Sequence, residues 1–213
     1  MIFLNLILET DMKIICIARN YAEHAKELNN EIPENPVFFL KPDTAVLQKD
    51  KDFYLPEFSQ NVQYEAEVVL KISKSGKYIQ PEFALNYFDQ ITLGIDFTAR
   101  DLQSQLKSKG HPWEIAKAFD NSAVVGDFLD KKEFDLNNLE FRMEKNNEIV
   151  QKGITTQMIH DFSTIISEAS KYFTLKTGDL IFTGTPAGVG QVMENDLLEG
   201  WIQERKVFEV RVK

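Results

Sequence analysis

Short apolar segments of strand length recur along the chain and restrict it to a β-rich fold. They lie at 13–18, 37–40, 62–72, 91–97, 139–145, 179–183 and 207–212, mostly separated by turns rich in proline, glycine, asparagine or aspartate. One longer helix is predicted from an apolar stripe with helical spacing. The stripe consists of Met158, Phe162, Ile165, Ile166, Ala169 and Phe173, with His160 expected on the exposed side. Because the strands do not alternate with such helices, a doubly wound nucleotide-binding sheet is disfavoured.

Length and charge narrow the class of protein. The 213 residues can bury one sizeable core, and no domain boundary is evident. We therefore expect a single domain at 12–213, with 1–11 as an N-terminal extension. The net charge of −9 argues against nucleic acid or an anionic membrane as a partner. No segment has the apolar length of a membrane span, so a cytoplasmic protein is predicted. The single cysteine, Cys16, is expected in the core.

Two carboxylates interrupt the apolar run at 62–72. Glu65 and Glu67 are two residues apart, so in a strand they project from the same face, about 7 Å apart. Such a pair can bind a hard cation. The alternative is an ordinary solvated strand face, because Gln63 and Lys71 have the same parity.

A third carboxylate lies in the alternating segment 91–98. The polar face of this strand is small and consists of Thr92, Gly94, Asp96 and Thr98. Small residues beside one aspartate indicate close approach by another element or a ligand. Asp96 is therefore the candidate third ligand. Three carboxylates suit Mg²⁺ or Mn²⁺, with Ca²⁺ as an alternative, better than Zn²⁺.

A short helix is predicted after the first strand, with Asn20 as its cap and Glu23 completing a capping box. This helix makes His24 and Glu27 neighbours at i and i+3. The carboxylate can orient the imidazole, which would make His24 a candidate base. The same pair also fits simple surface decoration, and the residues alone leave both interpretations open.

The glycine-rich segment 184–190 follows a strand but matches neither a P-loop nor a dinucleotide-binding turn. It can be a tight turn that needs positive φ. Alternatively, its backbone N–H groups and the Thr185 hydroxyl can bind a substrate carboxylate or enolate oxygen. Lys117 stands among apolar residues, where it can add positive charge to a site or extend to solvent.

Taken together, six segments resemble the fumarylacetoacetate hydrolase family, and they occur in that family's order from Lys13 onward. They are Arg19-Asn20-Tyr21-Ala22-Glu23-His24, Phe39-Leu40-Lys41-Pro42, Glu65-Ala66-Glu67, 96–103, 117–120 and 183–190. The short chain is most similar to the branch that contains acylpyruvases and oxaloacetate decarboxylases.

The resemblance implies an α+β, β-rich fold, a mixed β-roll or β-sandwich with a few peripheral helices, usually as a homodimer. It implies a divalent cation bound by Glu65, Glu67 and Asp96. It also implies a catalytic group of His24, Glu27 and Lys117. The positions expected to contact substrate are Arg19, Tyr21, Lys41, Arg100, Gln103, Thr185 and Pro186.

The implied activity is metal-dependent cleavage of a carbon–carbon bond in a small 2-oxo carboxylate. The candidate reactions are hydrolysis of an acylpyruvate, such as acetylpyruvate or fumarylpyruvate, and decarboxylation of oxaloacetate. One alternative is an isomerase of the 2-hydroxyhepta-2,4-diene-1,7-dioate type from aromatic catabolism. The non-enzymatic alternative is a degenerate homodimer that binds an oxo acid.

Overall fold

A computed structural model of the protein describes residues 12–27 and 33–213; the extension predicted at 1–11 lies outside them. The strands are β1 (Ile14–Ala18), β2 (Val37–Lys41), β3 (Val62–Tyr64), β4 (Ala66–Ile72), β5 (Phe88–Asp96), β6 (Thr98–Ala99), β7 (Ala123–Val125), β8 (Leu129–Asp130), β9 (Glu140–Lys145), β10 (Glu148–Ile154), β11 (Leu180–Phe182), β12 (Gly190–Gln191), β13 (Leu197–Ile202) and β14 (Arg205–Arg211).

The α-helices are α1 (Ala22–Glu27), α2 (Pro81–Ala84), α3 (Arg100–Ser108), α4 (Glu114–Lys117) and α5 (Phe162–Tyr172). Short 3₁₀ turns lie at Asp43–Ala45, Leu85–Tyr87, Lys131–Glu133, Leu136–Asn138 and Thr155–Gln157. In the part of the chain that the structure describes, no helix is both long and apolar enough to cross a membrane.

The main sheet has the strand order β2-β1-β11-β4-β5-β7, with β8 also paired to β5. Neighbouring strands are antiparallel except β1 and β11, which are parallel. The apolar run at 62–72 forms two strands, because the pairing breaks at Glu65. As a result β3 joins β6 and β12 in a small sheet, while β4 continues into the centre of the main sheet.

A second sheet, β10-β9-β13-β14, packs on the main sheet and encloses the larger hydrophobic core. Phe141 and Met143 of β9 and Leu198 of β13 are buried in one cluster with Leu70 and Leu93 of the main sheet. Burial of apolar area between two sheets is the dominant stabilising term in such a sandwich. The fold is therefore α+β and β-rich with peripheral helices, as predicted.

The long helix is shorter than its apolar stripe suggested. Asp161 accepts a hydrogen bond from the Thr164 N–H (2.8 Å) and caps α5, so Met158 lies before the helix. The prediction that His160 is an exposed residue of this helix is wrong. His160 is buried, and its N–H donates to the Asn20 side chain (2.8 Å).

The predicted capping role of Asn20 is also wrong. Its side-chain amide donates to the carbonyl oxygens of His160 (2.9 Å) and Thr183 (2.8 Å). Its oxygen accepts the His160 N–H, and α1 begins at Ala22, so Tyr21 and not Asn20 immediately precedes the helix. Asn20 instead ties the end of β1 to the segments before α5 and after β11.

The opposite face of the main sheet carries the second buried cluster, which includes Cys16 in its predicted core position together with Val69 and Phe182. Glu67 has the same parity as Val69 along β4 and therefore projects from this face. The small face of β5 is explained by its neighbour. A Cβ added to Gly94 would lie 2.5 Å from the carbonyl oxygen of Val124 in β7.

We expect Gly94→Ala to lower the free energy of unfolding by roughly 1–3 kcal/mol, because the clashing atom is backbone and has little room to move. The comparison is Gly110→Ala, where no atom lies within 4 Å and only the positive φ of 67° opposes a side chain. Urea unfolding of both variants measures the difference. A loss at Gly94 no larger than that at Gly110 would contradict the steric explanation.

Candidate active site

Three buried carboxylates meet where β4 and β5 pair. Glu65, Glu67 and Asp96 each place an oxygen within 4.8 Å of the others. The pairing of Glu67 with Gly94, and the Asp96 N–H donating to the Glu65 carbonyl (2.8 Å), bring the ends of the two strands together. The solvated strand face considered for Glu65 and Glu67 is therefore wrong, because both side chains are inside the protein.

Lys117 is the principal counter-charge of this group. Its buried ammonium donates to Glu65 Oε2 and Asp96 Oδ2, both at 2.7 Å. Burial alone would lower the pKa of Lys117, but Asp96 and Glu65 outweigh it and raise that pKa above its usual range. Lys117 is thus held as a cation inside the protein and does not extend to solvent.

The two glutamates are held in different charge environments. Burial opposes ionisation of Glu65, but Lys117 and Arg100 outweigh it and hold the pKa of that carboxyl below its usual range. Burial, followed by the charges of Asp96 and Glu65, raises the pKa of Glu67 well above its usual range. Among the three carboxylates, Glu67 is therefore the one that most lacks positive charge.

Lys41 lies beneath the carboxylates and does not line the cleft. Its ammonium donates to Ser122 Oγ (2.9 Å), to the Ser122 carbonyl (3.2 Å) and to the Lys117 carbonyl. It also lies 2.8 Å from Asp96 Oδ1 in a fully buried ion pair. This approach does not have the angles of a hydrogen bond, so Asp96 Oδ1 has an ion-pair contact but no hydrogen-bond donor among the described residues.

This donor set fits a divalent cation. Three carboxylate oxygens converge in a buried position, and hard oxygen ligands of this kind favour Mg²⁺, Mn²⁺ or Ca²⁺. Among the described residues, Asp96 Oδ1 accepts no hydrogen bond beside its ion-pair contact with Lys41, and Glu67 makes no ion pair with a cationic side chain. Both deficits are ones that a bound cation removes.

His24 and Glu27 form the second group of the site. His24 Nδ1 lies 3.1 Å from Glu27 Oε2, and the imidazole is almost completely buried. Glu27 also accepts a hydrogen bond from the Gly188 N–H (3.1 Å). A carboxylate beside Nδ1 favours the tautomer with the proton on that atom, which leaves Nε2 as the basic nitrogen.

The glycine-rich segment is a tight turn with positive φ at Gly184 (96°) and Gly188 (100°). The Gly184 N–H donates to Glu67 Oε2 (2.7 Å), so this turn holds a carboxylate of the protein itself. A Cβ at Gly184 would lie 2.6 Å from Asn20 Cβ, which makes glycine necessary for space as well as for φ.

Arg100 is committed to its neighbours at the start of α3. It donates from Nε to Gln63 (2.7 Å), from one terminal nitrogen to Gln103 (2.6 Å), and from the other to Glu65. Arg100 therefore fixes Glu65 and Gln103 in relation to each other. Gln63 was read from sequence only as part of a strand face.

A cleft joins most of the predicted site residues. Its predicted members are Arg19, His24, Glu65, Glu67, Asp96, Arg100, Gln103, Lys117 and Thr185. Four others do not line it: Glu27 contacts His24 Nδ1 and is partly exposed, Lys41 contacts Asp96, Pro186 follows Thr185, and Tyr21 packs edge-on against Phe141 (centroids 6.4 Å apart). The roles assigned to all these residues remain predictions.

Sequence reasoning missed Gln151, a buried residue that connects two parts of the site. Its side chain donates to Thr185 Oγ1 (2.9 Å) and to the Pro186 carbonyl (3.0 Å), and accepts from the Ala66 N–H (2.8 Å). A register shift between Ile149 and Gln151 re-aims the side chain, and no sequence pattern announces such a bulge.

Lys107 also lines the cleft. Sequence reasoning missed it, although its helical spacing could have indicated it. Arg100, Gln103 and Lys107 follow i, i+3 and i+7 spacing, which places them on one face of α3.

The fold and the site together define an enzyme with a buried carboxylate group beside a histidine–glutamate pair. The protein-family model described as "Fumarylacetoacetate (FAA) hydrolase C-terminal" matches residues 13–213. This chain belongs to that family and is an enzyme, as the relatives below are.

Among curated relatives, the mitochondrial oxaloacetate decarboxylase of Dictyostelium discoideum is 42% identical over 193 residues, covering 90% of this chain and 88% of that protein. The mitochondrial oxaloacetate tautomerase FAHD1 of Mus musculus is 39% identical over 206 residues, covering 96% and 93%. The structure of fumarylpyruvate hydrolase from Pseudomonas aeruginosa, in complex with Mn²⁺ and pyruvate, is similar with a TM-score of 0.89 and 35% identity, covering 95% and 89%.

We expect Glu67→Gln to weaken Mn²⁺ binding roughly tenfold or more, since it removes a charged ligand and keeps the shape. Without metal, the variant should be at least as stable as the wild type, because the neutral amide relieves crowding with Asp96 and Glu65. Calorimetric titration with Mn²⁺ and thermal unfolding measure the two effects. Glu82→Gln, an exposed position in α2, is the matched control. Unchanged Mn²⁺ affinity would remove Glu67 from the ligand set.

Proposed function

We propose that this chain is a divalent-metal-dependent enzyme that cleaves a carbon–carbon bond in a small 2-oxo carboxylate. The reactions we favour are hydrolysis of an acylpyruvate and decarboxylation of oxaloacetate. The observation that supports this most directly is one cleft lined by the buried triad of Glu65, Glu67 and Asp96 together with His24 and Lys117. Enzymatic relatives named for oxaloacetate and fumarylpyruvate chemistry agree with it.

The metal would be Mg²⁺ or Mn²⁺, held by Glu65, Glu67 and Asp96. When bound, it supplies Lewis-acid polarisation of the 2-oxo group. Lys117 contributes a fixed positive charge at the same place, because Asp96 and Glu65 hold its ammonium protonated. A preorganised cation of this kind stabilises negative charge that develops on a substrate oxygen.

The histidine–glutamate pair acts as the base for hydrolysis. His24 Nε2 takes a proton from water as the water attacks the distal carbonyl carbon, and Glu27 stabilises the imidazolium across Nδ1. The carbon–carbon bond then breaks, so that the acyl group leaves as a carboxylic acid and pyruvate leaves as its enolate, which takes up a proton to give pyruvate. The Gly188 N–H keeps Glu27 in place during this step. Decarboxylation needs no attacking water, so the same site can lose CO₂ from oxaloacetate without this proton transfer.

Thr185 would orient the substrate in this proposal. Its Oγ1 accepts a hydrogen bond from Gln151 Nε2, which leaves the hydroxyl hydrogen able to donate to a substrate oxygen in the cleft. Arg100 and Gln103 keep each other and Glu65 in position at the other wall. The residues proposed to bind substrate are thus held by strand β10 through Gln151, by the turn after β11 and by helix α3.

The test is a turnover screen of the purified protein with Mg²⁺ and with Mn²⁺. The substrates are acetylpyruvate, fumarylpyruvate, oxaloacetate and 2-hydroxyhepta-2,4-diene-1,7-dioate, with products identified by NMR. Cleavage of one of the first three, lost on chelation and restored by metal, is the expected result. Turnover of the dienoate alone would favour the isomerase, and no turnover at all would favour the non-enzymatic binder.

We expect His24→Asn to lower kcat for acylpyruvate hydrolysis by roughly 10² to 10⁴, since the general base is lost. Mn²⁺ affinity should stay near the wild-type value, because the metal ligands are elsewhere. Steady-state kinetics and Mn²⁺ titration check both statements. His111→Asn, at an exposed position, is the control for histidine replacement. Hydrolysis at the wild-type rate would exclude His24 as the base.

The homodimer and the cytoplasmic location expected from sequence also stay proposals. An apolar groove beside the site, lined by Leu40, Phe58, Leu102, Ile115 and Phe119, supports a dimer. Three of these side chains are unusually exposed for apolar residues: Leu40 (36%), Phe58 (55%) and Ile115 (61%). A second copy that covered this groove would remove them from water.

We expect Ile115→Asp to shift the protein towards monomer, since a charge in the groove opposes apolar contact. Light scattering coupled to gel filtration measures the mass. Ile149→Asp is matched in chemistry and exposure (60%) but lies outside the groove, and it should leave the mass unchanged. An unaltered dimer in the Ile115 variant would place the interface elsewhere, and a monomeric wild type would remove the proposal.

A further inference from the structure

Gln151 is a polar side chain in the position of a core residue. It is 1% exposed, whereas Ile149, two residues earlier in β10, is 60% exposed. In a regular strand both side chains would project from the same face. The bulge between them turns the glutamine inward and leaves the isoleucine in water. Packing alone would favour the opposite arrangement, because burial stabilises an isoleucine side chain more than an amide.

Two backbone groups fix the orientation of the Gln151 amide. The Ala66 N–H can only donate, so the atom that accepts from it at 2.8 Å is the amide oxygen. The Pro186 carbonyl can only accept, so the atom that donates to it at 3.0 Å is the amide nitrogen. A side-chain amide can in general take two orientations, but partners of fixed polarity at both ends allow only this one.

This orientation sets the polarity of Thr185. The other hydrogen of the Gln151 nitrogen is donated to Thr185 Oγ1 at 2.9 Å, so the threonine oxygen is the acceptor in that bond. The threonine hydroxyl hydrogen must therefore be donated elsewhere. In the part of the chain that the structure describes, no residue accepts it, and Thr185 lines the cleft. The hydrogen is thus left for an acceptor inside the cleft.

The same glutamine connects Thr185 to the carboxylate triad. Ala66 lies between Glu65 and Glu67, and its N–H is bound by the Gln151 oxygen. One buried side chain therefore holds the backbone of the two glutamates at one end and the hydroxyl of the glycine turn at the other. Because both hydrogens of the amide nitrogen and its oxygen are engaged, the side chain has little freedom to turn.

We propose that Gln151 is a positioning residue that makes Thr185 an obligatory hydrogen-bond donor towards the substrate. This role rests on the function proposed above and states what the hydroxyl recognises, which is an accepting oxygen such as that of a carboxylate or an enolate. A ligand group without an acceptor would leave the buried hydroxyl hydrogen unpaired. Gln151 does not line the cleft, so it acts on a ligand through Thr185.

The variant that tests this role is Gln151→Glu, which keeps the shape of the side chain and reverses the polarity of one end. One carboxylate oxygen still accepts the Ala66 N–H, while the other accepts where the amide donated. The Thr185 hydroxyl then donates to the introduced carboxylate and not into the cleft. In calorimetry with the Mn²⁺-loaded protein, pyruvate, a small 2-oxo carboxylate, should bind roughly tenfold more weakly. Mn²⁺ affinity should not fall, because the Ala66 bond is kept and the added charge is negative.

A double-mutant cycle measures whether the effect passes through Thr185. In a Thr185→Val background, which has no hydroxyl to orient, Gln151→Glu should weaken pyruvate binding by less than about twofold. Gln151→Met removes the donor without adding charge and repeats the cycle if the charged variant does not fold. It should weaken pyruvate binding roughly threefold in the wild-type background and not in the valine background. Gln80→Glu, the same change at an exposed position outside the cleft, is the control and should alter nothing.

Equal losses in both backgrounds would mean that the substitution acts without Thr185, for example by repelling pyruvate directly, and would overturn the role of Gln151. Unchanged pyruvate binding in the Gln151 variants, or no pyruvate binding by the Mn²⁺-loaded wild type, would overturn it as well. The turnover screen decides the proposed function separately. The expected cycle without any turnover would remove that function and leave the role of Gln151.

Discussion

The charge balance around three buried carboxylates is the constraint on which the site depends. Glu65, Glu67 and Asp96 lie too close together to remain ionised without positive charge nearby. Lys117 and Lys41 supply it at 2.7 and 2.8 Å from Asp96. These cations come from α4 and from the edge strand β2, and Arg100 comes from α3. Separate parts of the chain must therefore be folded together before the carboxylates can be buried at a tolerable free-energy cost.

The two faces of the main sheet have different roles in the fold. One face packs against the second sheet and carries the large apolar core, which includes Leu70 and Leu93. The other face carries Glu67 and Asp96 above a small cluster around Cys16 and Phe182. Because strand residues alternate in direction, the same two strands provide both core residues and carboxylates of the candidate site. The apolar core keeps those strands rigid, and a rigid base is what a preorganised charged site requires.

Sequence alone predicted the β-rich fold because the strand-length apolar runs are strong local signals. It grouped the three carboxylates through the alternation at Glu65 and Glu67 and the small face around Asp96. It failed at Asn20 and His160, because a long-range hydrogen bond between them replaced the local cap. It also missed Gln151, whose direction depends on a bulge in a distant sheet. Tertiary contacts decide such positions, and no local pattern records them.

The glycine turn after β11 contacts both groups of the candidate site, the carboxylate triad and the His24–Glu27 pair. At one end the Gly184 N–H holds Glu67, and at the other the Gly188 N–H holds Glu27. The intervening residues thus act as a spacer of fixed length between the candidate cation position and the candidate base. An insertion or deletion inside this turn would therefore change the distance between Glu67 and Glu27. The length of this turn therefore sets the spacing between the two groups that the proposed mechanism would use.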